Sequence, residues 1–290
     1  MCGEIKVDVP VTRENDLIAE ENSKRLRSNK TLCINIMGSP GAGKTTVIEK
    51  ISEHMEKDEI IVVQGDLESD MDKKRIEDIG IECHQINTKS SCHLHAKMIK
   101  DVLDNVNLEG KKYLLIENVG NLVCPVGVKL GQEMDMVISS TAEGADKPVK
   151  YPSAFRKADI VVITKYDLSE GFDEKMYFEE LSKLNRHAQV IKFSIKNPEC
   201  YHDLAKVIRD AYIHRYEGNN ETCVHCGSPV PHDSGTCHIC EKVPSHTKRG
   251  KERCPHCGAI IKSDDTICHN CLGELDKYKD ETPAEFRDRA

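Results

Sequence analysis

Leu32-Cys-Ile-Asn-Ile-Met-Gly38-Ser39-Pro40-Gly41-Ala42-Gly43-Lys44-Thr45-Thr46 is the stretch whose reading decides the fold. A short apolar run of strand length ends on a glycine-rich turn, and the turn opens into Thr45 to Met55, whose apolar spacing predicts a helix. The pattern G-x-x-x-x-G-K-[ST] binds phosphate because its glycines let backbone N–H groups point inward at the positive end of the following helix. Gly38, Ser39, Pro40, Gly41, Ala42, Gly43, Lys44, Thr45 and Thr46 are the predicted phosphate loop. Lys44 is placed to reach the β- and γ-phosphates and Thr45 to bind Mg²⁺. A glycine-rich turn with an incidental lysine is the competing reading; the strand before and the helix after it supply the context that the mechanism requires.

Outward from this loop, short β-rich runs alternate with longer amphipathic ones. Ile60 to Val63, Tyr113 to Ile116, Met136 to Ser140, Ile160 to Thr164 and Val190 to Phe193 read as further strands, and Cys83 begins another. Met71 to Ile79, His93 to Leu103 and Tyr201 to Tyr212 read as helices, with one more expected in the polar segment 5–29. The rhythm predicts an α/β domain of the P-loop NTPase type, a mainly parallel sheet flanked by helices. It covers residues 30–217, with residues 1–29 as an N-terminal helical segment.

The other parts of a nucleotide site follow in chain order. Tyr113-Leu-Leu-Ile-Glu117-Asn-Val-Gly120 is a strand ending in an acid and a glycine, the usual place for a second Mg²⁺ contact and a γ-phosphate sensor. Asp66 and Asp72 follow another strand, and one of them is expected to hold metal or orient the attacking water; each also suits a solvated loop or helix cap. Lys44, Asp66, Asp72 and Glu117 are the catalytic candidates. Ile160-Val-Val-Ile-Thr164-Lys165-Tyr166-Asp167 resembles the Asn-Lys-x-Asp guanine signature of GTPases, with Thr164 in place of Asn. The resemblance implies that Asp167 reads guanine N1 and its amine, that the Lys165 stem packs on the base, and that Ser194 belongs to the loop over it.

Fourteen cysteines divide into two sets. Eight crowd into the tail: Cys223-Val-His-Cys226 precedes Cys237-His-Ile-Cys240 by ten residues, and Cys254-Pro-His-Cys257 precedes Cys268-His-Asn-Cys271 by ten, the units repeating at 31 residues. Each pair of knuckles makes one closed four-thiolate site, so two zinc ribbons with two structural Zn²⁺ are expected at 221–243 and 252–274. Disulfides or an iron–sulfur cluster are the remaining readings. In the first domain Cys33 and Cys83 read as buried core residues. Cys92-His93-Leu-His95 and Cys124-Pro125 suit Zn²⁺ or Ni²⁺, and suit equally well exposed thiols and surface histidines.

The loop motif, Gly65-Asp66 with Asp72 and Arg75, Cys92-His93-Leu94, Glu117 to Pro125, Glu143-Gly144-Ala145-Asp146-Lys147-Pro148 and Tyr151-Pro152 together resemble the HypB family over about residues 1–215. That resemblance implies a GTPase cycling between GTP and GDP that delivers nickel to [NiFe]-hydrogenase. It implies a GTP-dependent homodimer with Cys92, His93 and Cys124 holding Ni²⁺ or Zn²⁺ at the interface. A HypA-like nickel chaperone and the hydrogenase large-subunit precursor are the implied partners. His95 departs from the acidic residue usual in the family, and Cys2 stands alone where some members carry a metal-binding N-terminus. The urease nickel GTPase is a rival, but it carries Cys-Pro-His, whereas Val126 follows Pro125 here. A zinc-ribbon adaptor regulated by GTP is the rival of another class.

A formal net charge of −8 gives no global attraction to nucleic acid or anionic membrane. Lys248 to Arg253 is basic but lacks interleaved aromatics, so a protein-docking tail is preferred to a nucleic-acid module. No apolar run approaches the roughly 18 residues of a membrane span, and Met1-Cys2-Gly3-Glu4 does not begin a signal peptide, so a cytoplasmic location is expected.

Overall fold

The computed structural model describes residues 11–66, 71–88 and 91–217, together with short strands at 252–253 and 260–261. The chain divides into two compact units, Met1–Tyr216 and Glu217–Ala290. In the first unit α1 (Val11–Ser28) leads into β1 (Leu32–Gly38) and α2 (Lys44–Ser52), then β2 (Ile60–Asp66), α3 (Met71–Asp78), β3 (Glu82–Asn87) and α4 (Ala96–Leu103). β4 (Tyr113–Glu117), β5 (Met134–Ser140), the short α5 (Lys147–Lys150) and α6 (Pro152–Lys157), β6 (Ile160–Thr164), α7 (Glu174–Leu184), β7 (Gln189–Lys192) and α8 (Glu199–Tyr212) complete it.

The seven strands form one sheet in the order β3-β2-β4-β1-β5-β6-β7, and every pairing is parallel. All seven residues of β1 are buried, because both faces of the sheet are covered. Ile34 and Ile36 belong to the core beneath α2 and α8, with Val47, Ile48, Leu204 and Ile208. On the opposite face Cys33 packs with Leu26 of α1 and Ile99 of α4, while Met37 packs with Phe155 of α6 and Tyr177 of α7.

Several elements differ from the sequence expectation. α4 starts at Ala96 rather than His93, because His95 is extended (φ −118°, ψ 155°) as its N-cap. Cys92 and His93 therefore stand on irregular chain. α5, α6 and α7 lie in a stretch where no helix was expected, being short or highly charged, with Tyr177 and Leu181 the buried residues of α7. The N-terminal helix joins the main domain, where buried Asn22 donates 2.9 Å bonds from Nδ2 to the carbonyls of Ala96 and Leu130. In the second unit β8 (Glu252–Arg253) pairs antiparallel with β9 (Ile260–Ile261), the two strands bracketing Cys254 and Cys257 in sequence. All eight predicted tail ligands and the Asp66 side chain lie outside the described residues.

Candidate functional site

The C-terminal end of β1 turns sharply through Gly41 (φ 71°) and Gly43 (φ 98°), a left-handed backbone that favours glycine. Gly38 sits against β5, where a Cβ would stand 2.8 Å from the Ile138 carbonyl oxygen. The turn delivers Lys44 and Thr45 to the first turn of α2, both buried. Lys44 Nζ lies 3.5 Å from the carbonyl oxygens of Gly38 and Ser39, folded over its own loop. Ser39 Oγ accepts a 3.0 Å bond from Lys147 Nζ, which is also paired with Glu143 at 2.8 Å.

Glu117 ends β4 directly opposite. It is 7 % exposed and accepts from the Thr45 hydroxyl at 2.9 and 3.1 Å and from Gln64 Nε2 at 2.8 Å. Burial raises its pKa from the ordinary carboxylate value, against the pull of Gln64, Lys44 and Thr45. A desolvated carboxylate beside a hydroxyl is an oxygen donor set that a hard divalent ion fits, since the ion supplies the charge compensation that burial removes. Gly120 follows, its Cα so close to the loop that a Cβ would meet Pro40 Cγ at 2.9 Å. Lys44, Gln64, Glu117 and Gly120 line a cleft of about 270 Å³, with Asp72 and Gln85 also on its wall. Asp72 Oδ1 accepts from Arg75 at 2.9 Å; the same guanidinium clamps Glu49 at 2.8 and 2.9 Å and reaches the Thr46 hydroxyl at 3.3 Å.

At the other end of the loop the Thr164 hydroxyl donates to the Ala42 carbonyl at 2.6 Å and Lys165 Nζ donates to Gly41 at 3.0 Å. Thr164, which stands in place of Asn, thus bonds directly to the phosphate loop. Lys165 is left-handed (φ 54°), a backbone that β-branched residues resist. Ser194 donates from its hydroxyl to Asp167 Oδ1 at 3.1 Å, and Lys196 Nζ lies 3.6 Å from Asp167 Oδ2. The strand ends β6 and β7 therefore bring Lys165, Asp167 and Ser194 to one edge of the loop.

The segments that carry Cys92, His93 and Cys124 meet on the same end of the sheet. Their Sγ and ring-nitrogen atoms all lie within 4.8 Å of one another, and Cys92 Sγ is 3.4 Å from His93 Nδ1. Cys124 beside it raises the Cys92 thiol above its ordinary pKa, and burial lowers that of His93, which favours the neutral ring that binds metals. Cys33, Cys83 and Cys200 are buried elsewhere.

Asn118, next to Glu117, joins the two clusters. Its Oδ1 accepts from the backbone N–H of Leu94, adjacent to His93, at 3.2 Å, and from Val119 at 3.0 Å. Its Nδ2 donates to Asn35 Oδ1 of β1 at 2.9 Å. Sequence reasoning gave no site role to Asn118, Gln64 or Lys147. The signal for Asn118 was a polar residue continuing a fully buried strand, where burial demands partners.

Residues 32–192 match the model of the CobW/HypB/UreG nucleotide-binding domain. The hydrogenase/urease maturation factor HypB of Helicobacter pylori is 35% identical over 223 residues, 75% of this chain and 92% of that protein. The chain belongs to the HypB family. The probable hydrogenase maturation factor HypB of Methanocaldococcus jannaschii is 33% identical over 211 residues, 72% of this chain and 96% of its own. The crystal structure of Helicobacter pylori HypB in complex with nickel superposes with a TM-score of 0.67 at 38% identity, covering 70% of this chain and 97% of that one. Archaeoglobus fulgidus HypB gives 0.64 at 36%, covering 68% and 98%. As a HypB-family protein the chain is a GTP-binding P-loop GTPase of the hydrogenase maturation factors. Residues 223–272 match the double zinc ribbon model, an added C-terminal domain. Among the described residues no helix is long and apolar enough to cross a membrane.

Proposed function

We propose that this GTPase couples its nucleotide state to the capture and release of nickel for [NiFe]-hydrogenase. The observation that carries the proposal is Asn118: one buried side chain is bonded to the strand that ends in the phosphate loop and to the chain that bears His93. Glu117 and Cys124 lie on the same short segment, so a shift at the phosphate cleft displaces a thiol.

GTP is held by its phosphates in the glycine-rich loop at the N-terminus of α2, with Lys44 exchanging its loop carbonyl contacts for phosphate oxygens. Asp167 accepts from guanine N1 and the exocyclic amine, steadied by Ser194, while Thr164 and Lys165 tie the base-reading loop to the phosphate loop. Thr45 and Glu117 would hold Mg²⁺, which when bound neutralises charge on the β- and γ-phosphates. Water attacks the γ-phosphorus in line; Asp72, or Asp66, orients it, and positioning and charge rather than a covalent intermediate lower the barrier. Turnover is slow, as suits a switch. Nickel, or zinc in its absence, is the cargo of Cys92, His93 and Cys124. GTP favours a homodimer in which the two sites meet, and a HypA-like chaperone and the hydrogenase large-subunit precursor stand on either side of the transfer. The nickel complex of the Helicobacter pylori relative and the identity to maturation factors support this reading.

Cys124→Ala tests it. Nickel affinity should fall by at least about 100-fold, the scale on which metal sites respond to lost support, while GTP affinity stays unchanged. Unaltered nickel binding would remove the coupling model.

A further inference from the structure

The chain that carries Cys92 and His93 continues through Leu94 and His95 before α4 begins. Leu94 is fully buried and lies against Gly65, where a Cβ would come within 2.9 Å of its side chain. Leu94 is buried between His93 and His95, which are both half-buried. Their rings meet with centroids 4.4 Å apart and planes inclined at 59°. Metal–imidazole bonds of about 2.0–2.1 Å converging at a tetrahedral angle put two ring centres roughly 5 Å apart, near the spacing seen here; His95 lies outside the group of donor atoms within 4.8 Å of one another, so its ring has to turn inward to reach the ion. The His95 side chain does not cap α4, and its ring makes no hydrogen bond or ion pair among the described residues.

We propose that His95 is a fourth protein donor to the ion held by Cys92, His93 and Cys124, so that one chain closes a Cys₂His₂ tetrahedron by itself. The inference rests on the metal-binding reading of those three residues. Three donors from one chain leave a position that a second subunit or a small ligand must fill; His95 fills it in cis. Two thiolates and two imidazoles in a tetrahedron suit zinc, and hold nickel away from the square-planar field it otherwise takes.

The test uses the full chain with its tail loaded with zinc, and Co²⁺ as the probe. X-ray absorption at the cobalt edge of the unmodified protein should count two sulfur and two imidazole scatterers, with the intense visible bands of tetrahedral cobalt. His95→Phe, which keeps a ring against His93, and His95→Gln should each weaken Co²⁺ binding by about 10- to 100-fold and lose one imidazole. Affinity and spectrum unchanged in both variants, or a single imidazole in the unmodified chain, would overturn the assignment and leave His95 as a stacked ring. The scatterer count stands even if a variant misfolds. Cobalt binding no different between the unmodified chain and Cys124→Ala would instead defeat the metal-binding reading beneath it.

Discussion

Glu117 is buried, bonded to Thr45 and Gln64, and raised above the ordinary carboxylate range by lost hydration. A raised value in the folded state means that the unfolded chain ionises first. In the metal-free protein this residue's contribution to stability is therefore favourable at acid pH and is lost as pH climbs from the ordinary value of 4.5 through the raised one. Glu117→Gln should flatten that dependence, seen as a higher melting temperature near neutral pH. The same variant should lose hydrolysis by about 100-fold or more, because the oxygen donor that suits Mg²⁺ is gone. Thr164→Ala tests the other end of the loop. It removes a 2.6 Å bond to Ala42 and leaves a buried carbonyl short of a donor, at a cost of about 1–3 kcal/mol. Because Thr164 ties the segment that carries Asp167 to the phosphate loop, GTP affinity should fall along with stability, as calorimetric titration would show.

Among the elements, β4 and the segment after it link the phosphate cleft to the cysteine–histidine cluster. Glu117 faces the phosphate cleft, Asn118 holds Leu94, and Cys124 follows. Asn118→Ala should leave GTP and nickel each able to bind, while reducing the change in nickel affinity between nucleotide states to less than about threefold. Titrating nickel in both states checks this; a full response in the variant would place the coupling elsewhere. Much of the arrangement was legible beforehand. Apolar runs of strand length separated by amphipathic ones give the parallel sheet, and the glycine spacing gives the loop. β3 was harder: it is an edge strand, and of Glu82 to Asn87 only Cys83 is buried, so its apolar signal is weak. The start of α4 was misplaced because nothing local in Cys-His-Leu-His marks it. Extended backbone there is fixed by Leu94 packing beneath Gly65, a contact between distant parts of the chain. The Asn118 bridge is likewise set by tertiary structure, and its spacing from Asn35 and Leu94 carries no pattern.

At the scale of the whole molecule, a HypB-family GTPase domain is followed by a double zinc ribbon at 223–272. Eight paired cysteines are expected to close two structural sites and leave no free coordination for chemistry, and we propose docking as the role of the tail. Removing residues 221–290 should leave GTP hydrolysis within about twofold and impair nickel transfer or partner binding; loss of hydrolysis would make the tail part of the catalytic unit. Whether the nucleotide governs the metal is decided by one titration. Nickel is added to the zinc-loaded full chain in GDP and in a non-hydrolysable GTP analogue. The two affinities should differ by at least about fivefold, the low end of measured coupling between sites. Equal nickel affinity in both nucleotide states would contradict that coupling.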